Sequence, residues 1–119
     1  MKTMAEKNVA SAEAYYRAMN HKDAAGVAEH LHSDIQLIGP LATLAGKDAV
    51  LEAAKRFMSL IKEIRIHAKL ASEQRVMLSY EADFGEPIGI CRTAVLMTFK
   101  DDLIELIELF YDARPFAGT

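Results

Sequence analysis

The sequence predicts an α+β fold in which three N-terminal helices pack on a strongly curved antiparallel sheet. Apolar residues follow a helical period as far as Ile61 and a period of two beyond it. The later segments are joined by short turns, which is typical of an antiparallel meander. The length of 119 residues is enough for one hydrophobic core. We therefore expect a single domain over residues 1–119.

Two helices are predicted near the N-terminus. Over residues 4–19, apolar side chains recur at helical spacing between charged ones. Asn20 is predicted to end this helix in the left-handed conformation, which asparagine tolerates. Asp23 then caps a second helix, which is expected to be short because Gly26 weakens it and to end at Leu31.

A brief strand and a third helix follow. The strand Asp34–Ile38 ends at Gly39 and Pro40, because proline cannot donate to a sheet ladder. Residues 41–45 are mostly apolar but are predicted as a loop, which favours a position at the mouth of a site or at an interface. Residues 46–61 form a helix with one broad apolar face.

Four segments of alternating sequence complete the chain. They are predicted as strands over residues 64–70, 74–84, 90–99 and 103–111. Because an alternating strand buries only one face, the helices should cover that face. Apolar residues also lie on the opposite face of the last two strands. This excess predicts a second buried surface, namely a homodimer formed through the sheet.

Composition and charge exclude several classes of function. A net charge of −3 provides no basic field for a phosphate backbone, so no nucleic-acid partner is expected. No apolar run is long enough to span a bilayer, and the charged N-terminus does not resemble a signal peptide. We therefore expect a cytoplasmic protein with no membrane partner. Cys91 is the single cysteine, which excludes an internal disulfide, and no cofactor or metal site is predicted.

The order and spacing of several segments resemble the NTF2-like superfamily, within its SnoaL-like and ketosteroid-isomerase-like branch. These segments are Tyr15–Asn20 with Lys22 and Asp23, HLHSDIQLIGP, GKDAV at the third helix, and IELFYDARPF near the end. The resemblance covers nearly the whole chain. It implies an NTF2-like (cystatin-like) cone of curved sheet, closed by helices around an internal pocket, in a homodimer.

The resemblance also implies where ketosteroid-isomerase chemistry would lie. Tyr15 corresponds to the tyrosine that holds the oxyanion in those enzymes. The catalytic base would fall on Gly39 and the second oxyanion donor near Val95, and neither residue has the required group. Ketosteroid isomerisation is therefore not expected.

Tyr15 is the first candidate catalytic residue. On an otherwise apolar helix face, its phenol is predicted to enter the pocket and donate a hydrogen bond to a carbonyl or phenolate. The alternative is a packed tyrosine whose hydroxyl reaches the surface. Tyr16 lies about 100° further around the helix and is not expected to face the same cavity.

Glu108 on the last strand is the second candidate catalytic residue. Glu105 and Glu108 differ by three positions, so they point to opposite faces of the strand. We predict that Glu108 faces the interior, because its face also carries Leu106 and Phe110. In an apolar setting its carboxyl would have a raised pKa and could act as a general acid or base. The alternative is a glutamate that is solvated or paired with Arg92.

The predicted ligand pocket is mostly apolar. Its residues are Met19, His30, Leu37, Gly39, Phe57, Met58, Cys91, Val95, Met97, Leu106 and Phe110. The methionines suit an adaptable cavity surface and equally suit core packing. Cys91 is expected to be an inert buried thiol.

Three functions remain open. The first is a SnoaL-like protein that binds a small, mostly apolar molecule, with isomerisation, cyclisation or hydrolysis by Tyr15 and Glu108 as its enzymatic form. The second is a non-catalytic binder of a hydrophobic ligand, favoured by the missing groups at Gly39 and Val95. The third is a dimeric protein-interaction module whose cone is filled by its own side chains.

Overall fold

The computed structural model describes residues 2–116 and confirms the α+β class. Three α-helices accompany a six-stranded sheet that is curved and unclosed. The helices are α1 (Met4–Asn20), α2 (Ala24–Ala28) and α3 (Lys47–Leu60). The strands are β1 (Leu31–Ile38), β2 (Thr43–Ala45), β3 (Glu63–Ala71), β4 (Arg75–Asp83), β5 (Ile90–Lys100) and β6 (Leu103–Tyr111), and a 3-10 helix follows at Arg114–Phe116. No helix in this described part is long and apolar enough to cross a membrane.

Side-chain caps start the first two helices. The Thr3 hydroxyl accepts a hydrogen bond from the Glu6 N–H at 3.1 Å, and the Glu6 carboxylate accepts one from the Thr3 N–H at 3.1 Å. The hydrogen bond from the Thr3 backbone to the carboxylate, with a smaller effect of the Thr3 side chain, holds the pKa of Glu6 below its ordinary value. At α2, Asp23 accepts from the Gly26 N–H at 3.0 Å, so the predicted cap is confirmed.

Asn20 and Lys22 fasten the end of α1 to its neighbours. The predicted left-handed stop at Asn20 is wrong, because Asn20 is the last helical residue and Lys22 has the positive φ, 57°. The Asn20 amide instead accepts from the Ile64 N–H at 2.7 Å and donates to the Ile64 carbonyl at 2.9 Å. The Lys22 ammonium donates to the carbonyls of Met58 and Ile61. The end of α1 is thereby bound both to β3 and to the end of α3.

The sheet has the order β2-β1-β6-β5-β4-β3. Strands β3 to β6 form the predicted antiparallel meander, whereas β1 pairs with β6 in parallel. Residues 41–45 were predicted as a loop, but 43–45 form β2, with Leu44 opposite Leu37 of β1. Helix α2 ends at Ala28, before the predicted Leu31, because β1 begins at Leu31 to pair with Ile104.

The main core lies between the helices and one face of the sheet. The largest side chains that are almost completely inaccessible to solvent are Leu31, Ile35, Leu78, Met97, Ile104 and Ile107. Burial of each such side chain contributes about 1.5–3 kcal/mol to folding. These residues come from β1, β4, β5 and β6, so the core joins both halves of the sheet.

The opposite face of the sheet carries a row of side chains that crosses five strands. Successive Cα partners in this outer row are Ile38, Glu108, Leu96, Met77 and Leu70. Ile38 is 41% exposed and Leu70 is 72% exposed. Exposed apolar side chains therefore extend across most of the sheet on the side that the helices leave uncovered.

Candidate functional site

A cavity of about 280 Å³ lies between α1, α3 and one end of the sheet. Its walls are mainly aromatic and aliphatic and include Phe57 of α3, Phe84 after β4 and Leu109 of β6. Leu41 and Leu60 also line it and are 58% and 59% exposed, so they mark its opening to solvent. The site is thus an apolar cavity with an apolar rim.

Three buried tyrosines form one wall of this cavity: Tyr15 and Tyr16 of α1, and Tyr80 of β4. The ring centroids of Tyr15 and Tyr16 are 5.0 Å apart at 88°, and those of Tyr16 and Tyr80 are 4.8 Å apart. The prediction that Tyr16 would not share a cavity with Tyr15 is wrong. Because α1 is covered by both the sheet and α3, the enclosed space extends around more than one face of the helix.

The hydroxyls of this wall are not equivalent. The Tyr80 hydroxyl accepts hydrogen bonds from the side chains of Tyr16 and Thr93. The Cys91 sulfur lies 3.7 Å from the Thr93 hydroxyl and extends the network along β5. No hydrogen bond joins the Tyr15 hydroxyl to another group of residues 2–116, and Tyr15 lines the cavity. The Tyr15 phenol can therefore donate to a bound molecule without giving up a hydrogen bond to the described chain.

The phenols of the cavity remain neutral near pH 7. Burial raises the pKa of Tyr15 and of Tyr16 well above the ordinary value, and it raises the pKa of Tyr80 to about 12. Burial also raises the pKa of Tyr111, which lines the cavity from β6. Each of these phenols therefore keeps its proton near pH 7 and is able to donate a hydrogen bond.

The segment after β6 adds Phe116 to the cavity lining, where it forms an aromatic wall with Phe57 and Phe84. Phe116 packs edge-on against Phe84 and Tyr111, with ring centroids 5.2 Å and 5.8 Å apart. The 3-10 helix that carries Phe116 is held by a bidentate ion pair, in which the Arg114 guanidinium lies 2.6 Å from the Asp112 carboxylate. Hydrogen bonds from Arg114 lower the pKa of Asp112 to about 2.

One charged side chain, Arg56 of α3, is among the residues of the described chain that line the cavity. No carboxylate within residues 2–116 lies within ion-pair distance of its guanidinium. Glu52, one turn earlier on α3, pairs instead with Lys55 at 3.3 Å. Arg56 therefore places an unpaired positive charge on the wall of an otherwise neutral cavity.

The structure brings together part of the predicted site. Of the predicted residues, those that line the cavity are Tyr15, Met19, Leu37, Phe57 and Cys91. Tyr80, Thr93 and Arg56 also line it but were not predicted as site residues. The alternating pattern of β4 and β5 indicated the inward direction of Tyr80 and Thr93, whereas no local signal marked Arg56.

Glu108 does not share the cavity with Tyr15. It is paired across the sheet with Leu96 and stands on the outer face with Leu106 and Phe110, which is 54% exposed. The predicted inward direction of these three side chains is wrong. Apolar residues occupy both faces of β6. Ile107, Leu109 and Tyr111 lie on the inner face and line the cavity.

The other predicted pocket residues lie outside the cavity lining. Met58, Val95 and Met97 belong to the buried core between the helices and the sheet and do not line this cavity. His30 precedes β1, where its carbonyl accepts from the Ile104 N–H at 2.8 Å and partial burial lowers its pKa.

Gly39, also predicted in the pocket, closes the turn after β1 instead. Its N–H donates to the Ala42 carbonyl at 2.9 Å. No aspartate, glutamate or histidine of residues 2–116 lines the cavity. In the same range, no cluster of three or more such residues or cysteine is arranged to hold a metal ion.

Comparisons with known proteins agree with this architecture. The sequence profile of the SnoaL-like domain matches residues 12–107. An NTF2-like protein from Cytophaga hutchinsonii has a similar structure, with a TM-score of 0.81 at 16% identity over 98% of each chain. A protein with a cystatin-like fold from Silicibacter pomeroyi gives 0.76 at 17% identity, over 86% of this chain and 73% of that one.

A steroid delta-isomerase from Pseudomonas aeruginosa also has a similar structure. The TM-score is 0.75 at 22% identity, over 89% of this chain and 80% of that chain. No curated protein sequence matches the chain. At these identities the structural likenesses show the fold alone. Because the profile match covers residues 12–107 and the structure has the NTF2-like fold, the chain belongs to the SnoaL-like domain family.

Proposed function

We propose that this protein binds a small, mostly apolar molecule in its cavity and holds a carbonyl or similar acceptor of that molecule on the Tyr15 hydroxyl. The observation that carries the proposal is a neutral phenol, Tyr15, that lines an apolar cavity and makes no hydrogen bond to another group of residues 2–116. A ligand in the cavity can therefore place an acceptor on this hydroxyl without breaking a hydrogen bond within the described chain.

The size of the cavity limits the size of the ligand. A volume of about 280 Å³ is close to the lower end of ligand pockets, which range from roughly 300 to 1,000 Å³. The aromatic wall formed by Phe57, Phe84 and Phe116 favours flat rings, since aromatic pairs pack edge-on or offset. These features favour a ligand with one or two rings.

Binding without acid–base catalysis is the form of this function that has the better support. The described lining contains no carboxyl or imidazole group, and Glu108 lies on the other face of the sheet. The raised pKa of Tyr15 makes its phenol a hydrogen-bond donor near pH 7 and not a base. Isomerisation, cyclisation or hydrolysis by Tyr15 and Glu108 together therefore has less support than binding.

The steroid delta-isomerase with a similar structure suggests that the cavity suits a cyclic ketone. The chemistry of isomerisation is a separate matter, because it requires a base that moves a proton. Gly39 stands at the expected position of that base, and Val95 is buried in the core. We therefore propose recognition of a cyclic carbonyl compound without its isomerisation.

Matched ligands test the role of Tyr15. Displacement of the neutral dye N-phenyl-1-naphthylamine is measured with 2-acetylnaphthalene and with 2-ethylnaphthalene, which lacks the carbonyl. Tyr15→Phe should weaken binding of the ketone about tenfold, because a hydrogen bond contributes roughly 1–1.5 kcal/mol, and should leave the hydrocarbon unchanged. Tyr111→Phe, which removes a different phenol hydroxyl from the cavity wall, is the control. Equal losses for both ligands would contradict the proposed anchor.

A second variant tests whether the ligand occupies the cavity. Ala53 of α3 lines the cavity, whereas Ala49 lies one turn earlier and is exposed. Ala53→Phe should fill the space and abolish dye binding, and Ala49→Phe should not.

Retention of an unchanged ligand at one molecule per chain supports a binder, whereas release of an altered molecule supports an enzyme.

We also propose that two copies associate through the outer face of the sheet. The apolar residues of the outer row and Phe110 support this contact, because exposed apolar patches mark association surfaces. Glu108 and Arg92 lie on the same face with opposite charges, which suits a self-complementary twofold contact. In this arrangement Glu108 belongs to the interface and not to the ligand site.

A further inference from the structure

We propose that the ligand is an amphiphilic carboxylic acid, whose ring system fills the cavity and whose carboxylate binds Arg56 at the mouth. This inference rests on the proposed binding function and specifies the chemical class of its ligand. The charges on the cavity wall are of one sign. Among residues 2–116, the side chains that line the cavity include one cation and no anion.

The position of Arg56 suits a group at the entrance. Arg56 is exposed and lies one helical turn before Leu60, which forms part of the rim, and close in sequence to Ala53 and Phe57 on the inner wall. A ligand can therefore contact the apolar wall of α3 with its rings and the guanidinium with its outer end. The planar guanidinium fork matches the two oxygens of a carboxylate.

The guanidinium is available for this contact. The i, i+4 partner that helix geometry offers is Glu52, but the Glu52 carboxylate is paired with Lys55 at 3.3 Å. Asp112, near the aromatic wall, is paired with Arg114 at 2.6 Å. These two carboxylates are thus engaged with other cations, and no acidic residue of residues 2–116 lines the cavity to compete with an anionic ligand.

The interior of the cavity excludes a second charged group on the ligand. Its wall offers neutral phenols, the Thr93 hydroxyl, the Cys91 sulfur and aromatic rings. A charge in such surroundings is costly unless it is paired. The inferred ligand is therefore charged at one end only, with an apolar body and, at most, an uncharged acceptor that reaches Tyr15.

Isosteric probes test this inference. Displacement of N-phenyl-1-naphthylamine is measured with 2-naphthoate and with 2-naphthamide, which has the same rings and a neutral head. The wild-type protein should prefer the carboxylate about fivefold, as expected for an accessible ion pair, and added salt should reduce the preference. Arg56→Gln should remove the preference for the carboxylate over the amide, and Arg56→Lys should keep part of it.

Arg75→Gln is the matched control, because it removes the same charge at an exposed position five residues before Tyr80 and outside the cavity. It should leave the preference intact. If both probes bind but the wild-type protein does not distinguish them, or if Arg75→Gln and Arg56→Gln act alike, the carboxylate inference is overturned and the proposed binding function stands. If neither probe displaces the dye, or the dye does not bind, both are overturned.

Discussion

Removal of the Asn20 amide should destabilise the protein more than any other single truncation on the surface of α1. Asn20 satisfies both the N–H and the carbonyl of Ile64, at 2.7 Å and 2.9 Å. Because β3 is an edge strand, no further strand can replace these bonds. The same amide holds α1, which carries Tyr15 and Tyr16, against the sheet that closes the cavity.

The expected loss in the free energy of unfolding follows from the two hydrogen bonds that Asn20→Ala removes. Each contributes roughly 1–1.5 kcal/mol, and Ile64 is 4% exposed, so water replaces them poorly. We therefore expect a loss of about 2–3 kcal/mol in the free energy of unfolding. For a domain of this size, that loss lowers the melting temperature by roughly 6–15 °C.

Urea unfolding monitored by circular dichroism measures this effect. Asn8→Ala is a matched control on the same helix, since Asn8 makes one such bond, to the Glu73 carbonyl at 2.9 Å. It should cost about 1 kcal/mol, roughly half as much or less, with an unchanged denaturant slope in both variants. Equal losses for Asn20→Ala and Asn8→Ala would refute the two-bond explanation.

Two further predictions concern pH and assembly. Tyr80 has an ordinary pKa of 10 and a pKa of about 12 in the folded protein. Its contribution to the free energy of unfolding is therefore intact below pH 10 and is lost as the pH rises through 12. The difference of two pKa units corresponds to roughly 2–3 kcal/mol of unfolding free energy. Urea unfolding at increasing pH measures it, with phenolate absorbance as the titration signal. Stability that stays level up to pH 12 would contradict the prediction. Phe110→Glu should convert a dimer to a monomer in sedimentation velocity, because it places a charge on the exposed apolar face, whereas Leu60→Glu on the cavity rim should not. A wild-type protein that sediments as a monomer would refute the proposed dimer.

Local sequence patterns were sufficient for the fold class and most elements. The change from a helical period to alternation near Ile61 separates α3 from β3, because each period reflects which side chains one element can bury. Strand β2 was missed, since its three residues form a strand only through pairing with β1. A contact of this kind has no signal within the segment itself.

The candidate site shows the same division. Tyr15 could be predicted because a polar group on an apolar helix face is visible in the sequence and matches the family position. The direction of the Glu108 side chain could not be predicted, because β6 is apolar on both faces and only the pairing with β5 decides which face is covered. Tyr16 joined the cavity because tertiary packing surrounds α1 on more than one side.

The sequence by itself determined the order of helices and strands, the alternation of the last four strands and the presence of a phenol on the first helix. These depend on spacing along the chain, which local periodicity records. The tertiary structure decided which face of the sheet is internal, which phenols line the cavity and where Arg56 lies relative to it. Those facts depend on distances between residues far apart in the chain, which no local pattern encodes.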